Sequence, residues 1–144
     1  MVQPADMALT LPRDLLPPAQ VNENTVVRGD ERRVVEAFCA WLESEGWTNL
    51  RREVGFVDVI AERDGETLYA EAKRRTAAIG LDVDTMYGQI LRRMPLDDDP
   101  CHRLAVVVPD EALAAALRVP ERVRRALRIE VYAVSAAGAV TTHA

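Results

Sequence analysis

The sequence predicts a mixed α/β domain in which helices flank a central sheet, and three observations carry that prediction. Apolar residues Val34, Val35, Phe38, Trp41 and Leu42 recur at helical spacing and stop at Gly46. A strand-rich stretch follows, with Asp64-Gly65 inside it as a hairpin signal. After a second helical pattern, residues 103–108 form a continuous apolar run of the kind found in strands buried on both faces.

In chain order, residues 1–25 hold Pro4, Pro12, Pro17, Pro18, Asn22 and Asn24 without sustained periodicity, which predicts an arm ahead of a single domain spanning 26–144. The first helix is expected over 30–45, and strands over 50–54, 56–62 and 67–73. Residues 82–94 read as a second helix, 103–108 as a buried strand, and 110–127 as helical with a break at Pro120. Residues 129–135 and 139–142 form a closing hairpin around Gly138. The order is αβββαβα with terminal strands.

Composition narrows the function classes. A chain of 144 residues supports one hydrophobic core and is short for two. The longest apolar runs, 104–108 and 112–117, cannot span a bilayer, so no membrane association is expected. No basic region precedes a long apolar stretch near the start, and the cytoplasm is the expected location. Cys39 and Cys101 lack the paired spacing of a zinc or disulfide framework, and His102 and His143 are isolated. A net charge of −5 argues against tight nonspecific binding to nucleic acid, which depends on neutralising phosphates. Local basic residues are nevertheless present at Arg28, Arg32, Arg33, Arg51, Arg52, Arg74, Arg75, Arg92 and Arg93. Of the 18 lysines and arginines a single one, Lys73, is lysine, whose compact ammonium has an adjustable pKa that guanidinium lacks.

A two-residue turn at Asp64-Gly65 pairs Arg63 with Glu66, and counting back in register sets Asp58 across from Glu71. Alternation then places Val57, Val59, Ala61, Leu68, Ala70 and Ala72 on one apolar face, expected to be buried. The other face carries Phe56, Asp58, Ile60, Tyr69, Glu71 and Lys73. Opposed carboxylates repel, and a divalent cation accepts oxygen ligands from both. Lys73 would lie beside such a cation, where it could orient water and offset phosphate charge. The alternative is that Lys73 pairs with a carboxylate on a solvated sheet face.

The stretch Val57-Asp58-Val59-Ile60-Ala61, the hairpin, and Tyr69-Ala70-Glu71-Ala72-Lys73 resemble the core motif of the PD-(D/E)xK, or restriction-endonuclease-like, nuclease superfamily. Its fold is an αβββαβ core with a mixed central sheet flanked by helices. From Glu31 to Lys73 the pattern is nearest to archaeal Holliday-junction resolvases, with Val57 where the motif's name has proline. The resemblance implies that Asp58, Glu71 and the Ala72 backbone carbonyl hold Mg²⁺, which Mn²⁺ can replace, and that Lys73 positions or activates water. Products would carry 5′-phosphate and 3′-hydroxyl ends.

Families of this fold often add an acid from the first helix. Glu31, on the apolar face with Val34, Phe38 and Leu42, is the choice over Glu36; the competing account is that Glu31 favours the helix dipole. Gln89 resembles a glutamine that supports the site from the helix after E-x-K, with an ordinary exposed glutamine as the alternative. Arg28, Arg32, Arg51, Arg52, Arg74 and Arg75 are the candidates for binding nucleic acid. The expected function is a Mg²⁺-dependent endonuclease acting on DNA, with RNA not excluded, structure-selective or partner-directed and homodimeric. The alternative is a noncatalytic nucleic-acid-binding or protein-interaction module that keeps the fold.

Overall fold

Val34, Phe38 and Leu42 fall on one helical stripe at i, i+4 and i+8, and all three are buried along helix α1 (Glu23–Ser44). The chain leaves this helix at Gly46, whose φ of +88° is the left-handed conformation glycine adopts without cost. The computed structural model describes residues 23–55, 57–73, 79–92 and 101–143, with the side chains of 23–30 and the segments 1–22 and 93–100 outside that description. The arm expected over 1–25 therefore lies mostly outside the described residues. The helix begins at Glu23, well before the expected residue 30. Residues 23–29 contain no proline, and adding turns to an existing helix is far easier than nucleating one.

Among the described residues six strands form one sheet in the order β1-β2-β3-β4-β5-β6. They are β1 (Thr48–Val54), β2 (Val57–Arg63), β3 (Glu66–Ala72), β4 (His102–Pro109), β5 (Ile129–Val134) and β6 (Val140–His143). β3, β4 and β5 run parallel, and the outer pairings are antiparallel, which makes the sheet mixed as the sequence predicts. Helix α2 (Ile79–Arg92) connects β3 to β4. A 3₁₀ turn (Asp110–Ala112), α3 (Leu113–Ala116) and α4 (Glu121–Ala126) connect β4 to β5, and Pro120 separates the last two helices as expected. Asp64 and Gly65 adopt φ of +51° and +79°, the two positive values of a type I′ turn, and Arg63 pairs with Glu66.

The inner strands of the sheet are buried on both faces. Val59, Ala61, Leu68, Ala70, Ala105, Val107, Tyr132 and Val134 pack under α1 with Phe38, Leu42 and Trp47. On the other face Leu104, Val106, Val108, Ile129, Val131 and Ala133 pack under α2 with Val83, Met86, Tyr87 and Ile90. The central strands are accordingly apolar at successive positions. Phe38 is 1% exposed and meets both Trp41 and Tyr132, with ring centroids 6.0 and 5.1 Å away. Truncation there leaves a cavity between helix and sheet. Phe38→Ala is expected to cost about 3–5 kcal/mol in urea-unfolding stability, and a loss below about 1 kcal/mol would contradict this packing. No helix among the described residues is long and apolar enough to cross a membrane.

Candidate functional site

Paired residues between β2 and β3 run from Arg63 and Glu66 to Val59 and Ala70, one step short of Asp58 and Glu71. At that step the strands are joined by a side chain: Asp58 Oδ2 accepts the backbone N–H of Ala72 at 2.8 Å. The register the sequence predicts thus holds up to the site, where a carboxylate replaces the strand ladder. Beyond Ala72 the chain stays beside β4, because Lys73 N–H donates to the Val107 carbonyl at 2.9 Å. Asp58 is 8% exposed, Glu71 2% and Lys73 5%, so all three sit inside the structure at the carboxyl end of β3. In open α/β sheets that end is the usual place for a ligand.

This burial corrects one expectation. The face bearing Asp58 and Glu71 is covered by α2, so Lys73 does not lie on a solvated sheet. It does pair with a carboxylate: Lys73 Nζ donates to Asp82 Oδ2 at 3.2 Å, with both side chains almost fully enclosed, at 3% and 1% exposure. A buried pair of this kind is costly to break by removing one partner, because the remaining charge stays in a poorly solvating interior. Asp82 also lies in the first turn of α2, where the helix dipole favours negative charge.

Asp82 is the residue the sequence reading missed as part of the site. It stands on the buried stripe of α2 with Met86 and Ile90 at i+4 and i+8. An acid on an apolar stripe was the same signal that singled out Glu31 on the first helix.

The donor chemistry fits a divalent cation. Two carboxylates, Asp58 and Glu71, come from neighbouring strands, and Glu71 Oε1 is buried and accepts no hydrogen bond from the described residues, although Glu71 as a whole has other interactions. Mg²⁺ is commonly held by one or two carboxylates, the remaining positions being water and substrate phosphate. Among the described residues no three His, Cys, Asp or Glu side chains gather as a ligand group. Glu31 therefore is not brought together with Asp58 and Glu71. It is half-buried on α1, which packs on the Val59 face of the sheet, whereas Asp58 and Glu71 alternate to the other face. Glu36 is exposed and pairs with Arg32 at 3.6 Å, so it points away from the sheet.

The remaining candidates are dispersed. Gln89 is half-buried on α2, rather than freely exposed. Arg51 pairs in register with Ile60, which puts it on the face of Asp58, and it meets Glu62 at 3.5 Å. Arg52 pairs with Val59 and is turned to the opposite, α1 face, beside Cys39, whose thiol is pushed up by burial and held back by the nearby Arg52 charge. Arg32 is exposed on α1, and Arg33 donates to the Ser135 carbonyl at 2.8 Å, tying α1 to the β5–β6 turn. Arg74, Arg75, Arg93, Phe56 and the side chain of Arg28 lie outside the described residues.

No protein-family model matches the chain, and no curated protein matches it. Its structure is similar to that of an FdxN element excision controlling factor protein from Anabaena variabilis, with a TM-score of 0.54 and 20% identity over 76% of this chain and 96% of that one. It is similar also to an XisH family protein from Nostoc punctiforme, with a TM-score of 0.53 and 20% identity over the same shares of the two chains. At such identity the likeness shows a shared fold alone, the mixed sheet flanked by helices.

Proposed function

We propose that the chain is a Mg²⁺-dependent endonuclease that hydrolyses phosphodiester bonds in DNA. The observation that carries this reading is the burial of Asp58, Glu71 and Lys73 together at the carboxyl end of β3. Asp58, Glu71 and the Ala72 carbonyl would hold the cation. When bound, Mg²⁺ supplies positive charge against the phosphate and lowers the pKa of water.

The protein's own contribution is positioning and exclusion of bulk solvent. Asp58 is fixed by the Ala72 N–H, so one carboxylate is set before any ligand arrives. Lys73 offers an ammonium two residues beyond Glu71, able to orient a water molecule and to offset charge on a scissile phosphate. Asp82 holds that ammonium in a single place through the 3.2 Å contact. Gln89 would support the site from α2, and Arg51 would extend it toward the nucleic-acid backbone. Cleavage is structure-selective or partner-directed, and the working form is a homodimer, as in the resolvases the sequence resembles.

A second reading is favoured by the pairing of Lys73 with Asp82 and by the net charge of −5: a noncatalytic module with a role in the control of excision. The similarity to a protein described as an excision controlling factor supports that direction as well. The two readings part on one assay. Labelled duplex, single-stranded and four-way-junction DNA are incubated with Mg²⁺ or Mn²⁺, and product ends are mapped. Metal-dependent products with 5′-phosphate and 3′-hydroxyl ends are expected, and intact substrate of every shape would favour the noncatalytic module.

A further inference from the structure

Helix α2 buries Asp82, Val83, Met86, Tyr87 and Ile90 against the sheet. At about 100° per residue, the direction opposite to that stripe falls on Gly88. Around Gly88 on this outward face stand Leu81, Asp84, Thr85, Leu91 and Arg92, all exposed. Two of them are large and apolar, Leu81 at 64% exposure and Leu91 at 41%. A single exposed leucine is ordinary on a protein surface, so these two carry nothing alone.

Gly88 is a second and independent observation. Glycine inside a helix weakens it relative to alanine, because its backbone loses more freedom on folding. Nothing within this chain asks for a glycine there: a Cβ at Gly88 would meet no atom within 4 Å, and its φ is not positive. The missing side chain leaves a shallow place at the centre of the outward face, where a second helix can approach closely. Asp84 stands four residues before Gly88 and Arg92 four residues after it. Arg92 Nε donates to the Gly88 carbonyl at 3.2 Å, which lays the guanidinium beside the glycine and leaves its charge in place. Asp84 has no ion-pair partner among the described residues.

We infer that the outward face of α2 binds the same face of a second copy of this chain, antiparallel about a twofold axis at Gly88. An acid and a base at equal distances on either side of one point are self-complementary under that rotation, so Asp84 of each copy faces Arg92 of the other. Leu91 of each copy then meets Thr85 of the other, and the two helix dipoles oppose. A parallel crossing would set Asp84 against Asp84 and Arg92 against Arg92. Nucleic acid fits the face less well, because its phosphates would gain Arg92 and be repelled by Asp84. This pairing rests on the homodimer reading and gives that dimer a surface. Asp82, on the buried side of the same helix, holds Lys73, so the paired helices would brace the element that encloses the carboxylate site.

The test is molar mass by light scattering over a dilution series, for the full chain and for Gly88→Gln, Asp84→Arg, Arg92→Asp and Asp84→Arg/Arg92→Asp. Glutamine is a stronger helix former than glycine and would project into open space, so Gly88→Gln keeps the fold while blocking close approach. The wild type is expected to dimerise, with affinity weaker by about tenfold or more in Gly88→Gln and in each single charge reversal, and recovered in the double reversal. A dimer unaffected by these substitutions, or a double reversal no better than the single ones, would overturn this surface and leave the homodimer reading in place. A wild type that is monomeric at every concentration would overturn both. Loss of DNA affinity in Arg92→Asp with no dimer to disrupt would overturn the pairing too, assigning the face to nucleic acid. DNA cleavage is assayed alongside: a dimer that responds as expected but cuts nothing would support this surface and contradict the nuclease reading alone.

Discussion

Lys73→Met is expected to lower metal-dependent DNA cleavage by roughly 10²- to 10⁴-fold, the usual contribution of a positioned proton-transfer or charge-stabilising group. It is also expected to destabilise the protein, because it leaves Asp82, 1% exposed in its side chain, without its ammonium in the interior. Removing one partner of a buried pair costs about 3–5 kcal/mol. The two effects separate in Lys73→Met/Asp82→Asn, where no uncompensated charge remains. That double variant should regain most of the lost stability in urea unfolding and none of the cleavage. If it regained cleavage, Lys73 would be structural only. If the single variant lost no stability, the enclosed pair would not hold α2 against the sheet as described.

Mn²⁺ is expected to stabilise the wild type, and Asp58→Asn is expected to abolish that stabilisation. With Mn²⁺ about a hundredfold above its Kd, ligand binding adds about 2.7 kcal/mol to the folded state. For a domain of this size each kcal/mol moves Tm by about 2–8 °C, so the wild-type shift is readily measured. The amide retains an oxygen that can accept the Ala72 N–H, which keeps the end of β2 in place, while the negative charge is gone. Without metal the variant should therefore melt within a few degrees of the wild type. A Mn²⁺ shift that persists in Asp58→Asn would place the cation elsewhere.

Much of this site is legible in the sequence because its spacing is short and its turn is unambiguous. Asp64-Gly65 specifies the type I′ turn, the turn specifies the register, and the register runs to Val59 and Ala70, the neighbours of Asp58 and Glu71. The α1 stripe of Val34, Phe38 and Leu42 is equally plain, since one side of the helix is buried and the other is not. Asp82 was harder to place. Its partner is nine residues away across the β3–α2 connection, and its burial depends on α2 closing over the sheet. The face of each β1 arginine was hidden for another reason. Between Thr48 and Arg51 the pairing with β2 shifts register, with Asn49 at φ +51°, so alternation counted from the strand's start does not predict which side Arg51 and Arg52 take.

The most direct test of the nuclease assignment is single-turnover cleavage of labelled DNA in Mg²⁺ by the wild type and Asp58→Asn, prepared identically and both verified as folded. Cutting by the wild type that stops on chelation and is absent from the variant is the expected result. Equal cutting by both proteins, or none by either on duplex, single-stranded and branched DNA, would contradict it.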